Sequence, residues 1–156
     1  MAMLMVGKYE KYVIRKPRID KSLPYHEARE NHVFPILIDN LLVNGCEFWA
    51  TYNFYSKITE DDAKKIAEFE VEAKLHKHKY DCPEVYLLLG DENALVLEVT
   101  LGEEREKYRI SPPAAVYIPG GLPHGVRLVK AEPERTATTI YLLHTRGRKY
   151  EDTFVT

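Results

Sequence analysis

The chain has 156 residues, 22 Lys and Arg against 24 Asp and Glu, a formal charge of −2, and a 45% hydrophobic content that includes eleven Tyr and five Phe. A chain of this length buries roughly 70% of the surface its unfolded form exposes, enough for one full core, and the composition excludes a disordered or low-complexity chain. Both charge signs are interleaved, so no extended basic field exists to attract nucleic-acid phosphate, and no apolar run approaches the ~20 residues of a membrane span.

Residues 1–45 read as an irregular arm packing on a core formed by residues 46–156, one domain overall. Met1 to Val6 is apolar but too short for a signal core and runs into Lys8, Glu10 and Lys11. Pro17, Pro24 and Pro35 break the arm, and His26 and His32 lie in its charged part, where a solvated position is expected. Val33 to Val43 is apolar around Asp39 and Asn40 and fits either a buried strand or a short helix before the turn at Asn44 and Gly45. The two cysteines, Cys46 and Cys82, have no CxxC spacing; they read as small buried hydrophobes in a reducing compartment, which places the chain in the cytoplasm.

From Glu47 the residues Phe48, Trp49, Tyr52, Phe54 and Tyr55 predict a strand. Thr59 and Asp62 form a capping box, and Ala63, Ile66 and Ala67 recur at helical spacing, so one short helix is expected over Glu60 to Ala67. Beyond it the pattern has period two, with Phe69, Val71, Ala73 and Leu75 on one face and Glu70, Glu72, Lys74, His76 and His78 on the other.

Short strands then follow at regular spacing: Val85 to Leu89, Ala94 to Leu101, Arg105 to Ile110, Ala114 to Ile118, Val126 to Ala131 and Thr136 to His144, each closed by Gly, Pro, Asp or Asn. Turn signals about every ten residues, with no βαβ alternation, predict an all-β antiparallel sandwich or barrel. Val85, Leu87, Leu88 and Leu89 are apolar at successive positions, which asks for cover on both faces of that strand. A second subunit could supply it, and a homodimer is expected on that ground.

His76 and His78, one residue apart on a strand, project from one face and can share a cation. Glu84 opens the next strand, and His124 follows the loop Pro119, Gly120, Gly121, Leu122, Pro123. The segments HKHKYDCPEVYLLLG and PGGLPH together resemble the two motifs of the cupin superfamily, which read HxH, then Glu, then Gly, and PxGxxH. The resemblance covers about Glu47 to His144. It implies a jelly-roll barrel, a double-stranded β-helix with antiparallel strands, that holds one divalent metal on His76, His78, Glu84 and His124. The interval before Glu84 also contains Asp81, the alternative ligand.

Three neutral imidazoles and one carboxylate suit iron, manganese, nickel, cobalt or zinc and leave room for water or substrate oxygens. Such an ion polarises carbonyls, acidifies bound water or templates a substrate against dioxygen. Tyr86 shares the face of Glu84 and is expected beside the metal as a donor or weak acid, making Glu84 and Tyr86 the candidate catalytic pair. Trp49, Tyr52, Tyr117 and Arg127 are further candidates for the pocket wall, whereas the facing of Glu98 and Arg109 is open. The expected partner is a small oxygenated molecule, turned over by a dioxygenase or an isomerase. The alternatives are a non-catalytic ligand-binding or sensor protein and a sugar-phosphate isomerase. The last is prompted by the EVY segment, although Ala73, Lys74 and Leu75 stand where the isomerases place Thr and Gly.

Overall fold

The computed structural model describes residues 8–20, 35–69 and 71–155; His26 and His32 fall outside them. Eleven strands form two antiparallel sheets. One holds β1 (Arg18–Ile19), β2 (Pro35–Ile38), β3 (Phe48–Tyr55), β10 (Ala137–His144), β5 (Glu84–Gly90) and β8 (Ala114–Ile118), in that spatial order. The other holds β11 (Asp152–Phe154), β4 (His76–His78), β9 (His124–Ala131), β6 (Leu95–Leu101) and β7 (Glu106–Ile110). From β3 onward the chain passes repeatedly between the sheets, with only β6 and β7 paired as a hairpin within one of them. The result is a jelly-roll barrel with its interior filled from both sides.

The period-two pattern decides which side chains enter that interior. On β6, Leu95, Leu97 and Val99 are buried inward, and Leu97 and Val99 lie opposite Leu128 and Val126 of β9. On β5, Tyr86 and Leu88 point inward and join Ile118 and Ala137 in the same cluster. A second cluster of Ile36, Trp49 and Leu143 packs against Tyr141 and Tyr150. Each such aliphatic side chain contributes about 2 kcal/mol of burial, so the core closes the barrel without staples.

Within the apolar run from Val33 to Val43, Pro35–Ile38 forms strand β2, followed by Asp39, whose Oδ1 accepts from the backbone N–H of Leu41 and Leu42. The helix, α1 (Glu60–Glu68), has the expected capping box, with Asp62 N–H donating to Thr59 Oγ1 at 3.1 Å. Its first turn carries Glu60, Asp61 and Asp62, favourably placed against the helix dipole. It packs on β9 and leaves the mouth of the barrel to the segment that follows.

That segment corrects the sequence reading. The alternation from Phe69 to His78 predicts a long strand, but only His76–His78 forms one. Phe69 and Val71 are about half exposed. Among the described residues β11 pairs β4 over its three residues and β9 meets it at His76, while the preceding stretch receives a backbone bond at its end, from Val155 N–H to the Leu75 carbonyl, and joins no ladder. Instead the chain crosses closely over β9 at Gly125, where a Cβ would lie 2.8 Å from the Lys74 carbonyl oxygen. On the outward side of β5, Val85 and Leu87 are half-buried and Leu89 is exposed. No helix among the described residues is long and apolar enough to cross a membrane.

Candidate metal centre

Three strand starts converge inside one end of the barrel. β4 brings His76 and His78, β9 opens with His124 paired in register to His76, and β5 opens with Glu84 from the opposite sheet. The loop before His124 is fixed by its glycines. A Cβ on Gly120 would stand 1.9 Å from the Asp81 carbonyl oxygen, and Gly121 has φ +80°, so only this composition lets the two motif loops touch.

One nitrogen from each of the three imidazoles lies within 4.8 Å of the others, and Glu84 Oε2 stands 2.9 Å from His78 Nε2 and 3.1 Å from His124 Nε2. His78, Glu84 and His124 are buried, and His76 keeps 14% of its side chain exposed toward the cavity. The structure therefore gathers all four residues that the two motifs singled out. It leaves Asp81 out: that residue is exposed, and its carboxylate packs against Gly121 rather than the imidazoles.

The other ring nitrogens are already committed. His124 Nδ1–H donates to the Leu122 carbonyl at 2.8 Å, and His78 Nδ1–H donates to Asp152 Oδ1. In the neutral rings this fixes the tautomer and turns both Nε2 lone pairs onto the Glu84 carboxylate. Lone pairs facing an anion at about 3 Å are repulsive unless a positive species lies between them. A proton on each ring or one shared cation satisfies the arrangement, and a set of three imidazoles and a carboxylate is a donor set for a transition metal.

The electrostatics express the same competition. Burial pushes the Glu84 carboxyl up, but the His124 and His78 donors outweigh it and hold the group below the usual carboxylate range. Burial pushes His78 down, yet its hydrogen bonds to Asp152 and Glu84 raise it to about 9. His76, buried and facing His124, falls to about 4. Burial, reinforced by the Glu84 charge, keeps the Tyr86 hydroxyl neutral and available as a donor. Its ring sits edge-on to His124 at 6.2 Å between centroids, beside the candidate centre as its parity implied.

Two residues of the site escaped the sequence reading. β11 pairs Asp152 with His78, and the Asp152 carboxylate, fully buried, also accepts from the Tyr150 hydroxyl. Tyr150 in turn stacks on Trp49 at 4.4 Å. A carboxylate behind a ligating histidine orients the ring and strengthens it as a donor. No motif announces Asp152; its place follows from a three-residue strand at the far end of the chain.

A cavity of about 470 Å³ opens from His76, Glu84 and Tyr86 into the barrel. Trp49 lines it, as do Thr51, Asn53 and Tyr55 of the same strand, whereas Tyr52 has the opposite parity and lies outside the lining. Tyr117 is 65% exposed and takes no part. Arg127 borders the cavity, but its guanidinium donates to Glu98, which is held on its other side by Arg109.

No family model and no curated protein matches the sequence. Among solved structures the chain is similar to the polyketide cyclase RemF from Streptomyces resistomycificus, at 17% identity and a TM-score of 0.46 over 92% of this chain and 78% of that one. It is similar to the Cnp3 cupin domain of Schizosaccharomyces pombe, at 14% identity and a TM-score of 0.44 over 72% of this chain and 60% of that one. It is also similar to the iron(II) form of HppE, at 15% identity and a TM-score of 0.42 over 71% of this chain. The chain thus spans 48% of the HppE length, and identities this low bring neither activity nor substrate with them.

Proposed function

We propose that this chain, a jelly-roll barrel of the kind the cupin motifs imply, holds one divalent cation on His76, His78, Glu84 and His124 and acts on a small oxygenated molecule admitted through the adjoining cavity. The observation that carries the reading is the pair of Nδ1-anchored imidazoles, His78 and His124, that aim their Nε2 atoms at one buried carboxylate oxygen. Bound there, such an ion would polarise a carbonyl or acidify a coordinated oxygen, the chemistry common to dioxygenases and isomerases.

The protein's own residues supply the rest. Glu84 neutralises part of the ion's charge, and Asp152 holds His78 in the orientation that presents Nε2. Tyr86, neutral and buried within reach of Glu84, offers a hydroxyl proton to a substrate oxygen at the candidate centre. Tyr150 and Trp49, stacked on each other, border the cavity beside the site. Mixed nitrogen and oxygen ligation suits iron, manganese, nickel, cobalt or zinc.

Replacing His76 or His124 with Ala should strip most of the bound metal, a loss of at least about 100-fold in affinity, while the barrel stays folded. Elemental analysis of protein purified without a histidine tag reads the first effect and circular dichroism the second. Stoichiometric metal in both variants would sink the assignment.

A further inference from the structure

The two sheets have unlike outer faces. Strand parity puts Trp49, Thr51, Asn53 and Tyr55 of β3 inside the barrel and therefore Phe48, Ala50, Tyr52 and Phe54 outside it. The register carries that outer set across three more strands. Tyr52 lies beside Ile140, Ile140 beside Leu87, and Leu87 beside Ala115; in the next row Ala50, Leu142, Val85 and Tyr117 follow one another in the same order. Phe54, Thr138 and Leu89 form a third row, and Phe48 with His144 ends the face.

The outward positions of β3, β10, β5 and β8 thus hold no Lys, Arg, Asp or Glu. A solvated face of that size carries about four such residues. The outer face of the other sheet does carry them, with Glu98 between Arg109 and Arg127, Lys107 opposite Thr100, and Lys130 opposite Val96. On the uncharged face Phe54 is 59% and Tyr117 65% exposed. Charges return at its margins, where Glu47, Lys57, Asp91 and Arg135 stand exposed just beyond the strand ends.

An apolar centre inside a charged rim is the anatomy of a protein interface. Strands of five to eight residues give the face a plan area of about 500 Å². A monomer rarely leaves an uncharged patch that wide open to water, and two such faces reach the roughly 1,000 Å² that a specific interface needs. A face without charge of either sign is complementary to itself, because two copies meet on a two-fold axis without burying an unpaired ion. A cover made from residues 21–34 of the same chain would instead bring Lys21, Glu27, Arg29 and Glu30 toward it. Growth of the sheet through its β8 edge is discouraged, since that strand has five residues and is bounded by Pro113 and Pro119.

We propose that the chain is a homodimer in which the outer faces of β3, β10, β5 and β8 from two copies pack on each other, sheet on sheet at about 10 Å. The candidate metal centre lies on the inner side of these strands, and the dimer does not depend on it.

Sedimentation equilibrium of the full chain at about 50 μM should give twice the mass of one chain, at about 0.1 M and about 1 M salt alike, because apolar contacts are not screened. Phe54→Lys and Tyr117→Glu each put a charge at a position open to water in the single chain, so circular dichroism should show an unchanged fold. Each should raise the dimer dissociation constant at least about 100-fold and leave monomer, because the charge would be buried unpaired. Lys130→Glu, on the outer face of the other sheet, should leave the mass doubled.

A wild-type monomer overturns the proposal, whatever covers the face. So does a dimer that either folded charge variant leaves intact, one that falls apart at high salt, or one that Lys130→Glu dissolves. If neither charge variant folds, Phe54→Ala decides: it should raise the dissociation constant about tenfold, and an unchanged constant counts against the proposal.

Discussion

Glu84 and Glu98 look alike in outline. Each is 4% exposed, each sits on a strand, and each lies between two nitrogen donors from other strands. Glu98 is held by Arg127 at 2.9 Å and Arg109 at 3.1 Å; Glu84 is held by His78 at 2.9 Å and His124 at 3.1 Å. The difference lies in the partners. A guanidinium stays charged at every relevant pH, so Glu98 is permanently compensated, whereas an imidazole is positive only when protonated. A buried carboxylate therefore marks a site here only where its partners are conditional.

The largest expected effect follows from that condition. In chelator-treated protein His78, held up to about 9, contributes stability that is fully present below the ordinary histidine value of 6.5 and is lost as pH rises through 9. His76 has the opposite sense. Drawn down to about 4, it excludes a proton that the unfolded chain takes up below 6.5, so stability is lost as pH falls from 6.5 toward 4. Glu84, held below its usual range, adds to the acid side. Each flank amounts to about 3 kcal/mol, and urea unfolding between pH 4 and 10 should trace a maximum near 6.5. On the proposed assignment a divalent cation would take the place of the His78 proton and should flatten the alkaline flank. A chelated protein as stable at pH 10 as at 6.5 would mean that His78 is not held in this way.

The next effect concerns what stands behind the conditional partner. Asp152→Ala removes the acceptor of His78 Nδ1–H and should lower cation affinity about 10- to 100-fold, whereas Asp152→Asn keeps an acceptor oxygen there and should recover most of the loss. Competition with a fluorescent chelator reads both variants. Equal loss in the two would assign Asp152 a charge role in place of an orienting one.

The two glutamates also show how far the sequence could be read. Glu84 is legible because strand parity, the HxH spacing and the PGGLPH loop all describe one local constellation at strand starts. The cadence of strands and turns is legible for the same reason, since side-chain alternation and turn chemistry are local properties. Asp152 and Tyr150 are not, because a three-residue strand is placed by its partner β4 and carries no pattern of its own. The facing of Glu98 was open to sequence because Leu97, Glu98, Val99 and Thr100 are all buried, which blurs the alternation. The strand expected from Phe69 to His78 forms only at His76–His78, on non-local grounds too: its alternation is real, but among the described residues no strand pairs in a ladder with the stretch before His76.

The smallest effect is expected at the carboxylate without conditions. Glu98→Gln retains the shape but can accept from only one of its two arginines, and its amide NH₂ then faces the other. Arg109 is 67% exposed and regains water, so most of the cost falls on the less exposed Arg127. A loss of about 1 kcal/mol in unfolding free energy is expected, with cation content unchanged and no dependence on pH between 6 and 9. If Glu98→Gln released the metal as well, the two carboxylates would be coupled through β9, which carries both Arg127 and His124, and the contrast between a fixed and a conditional carboxylate would fail.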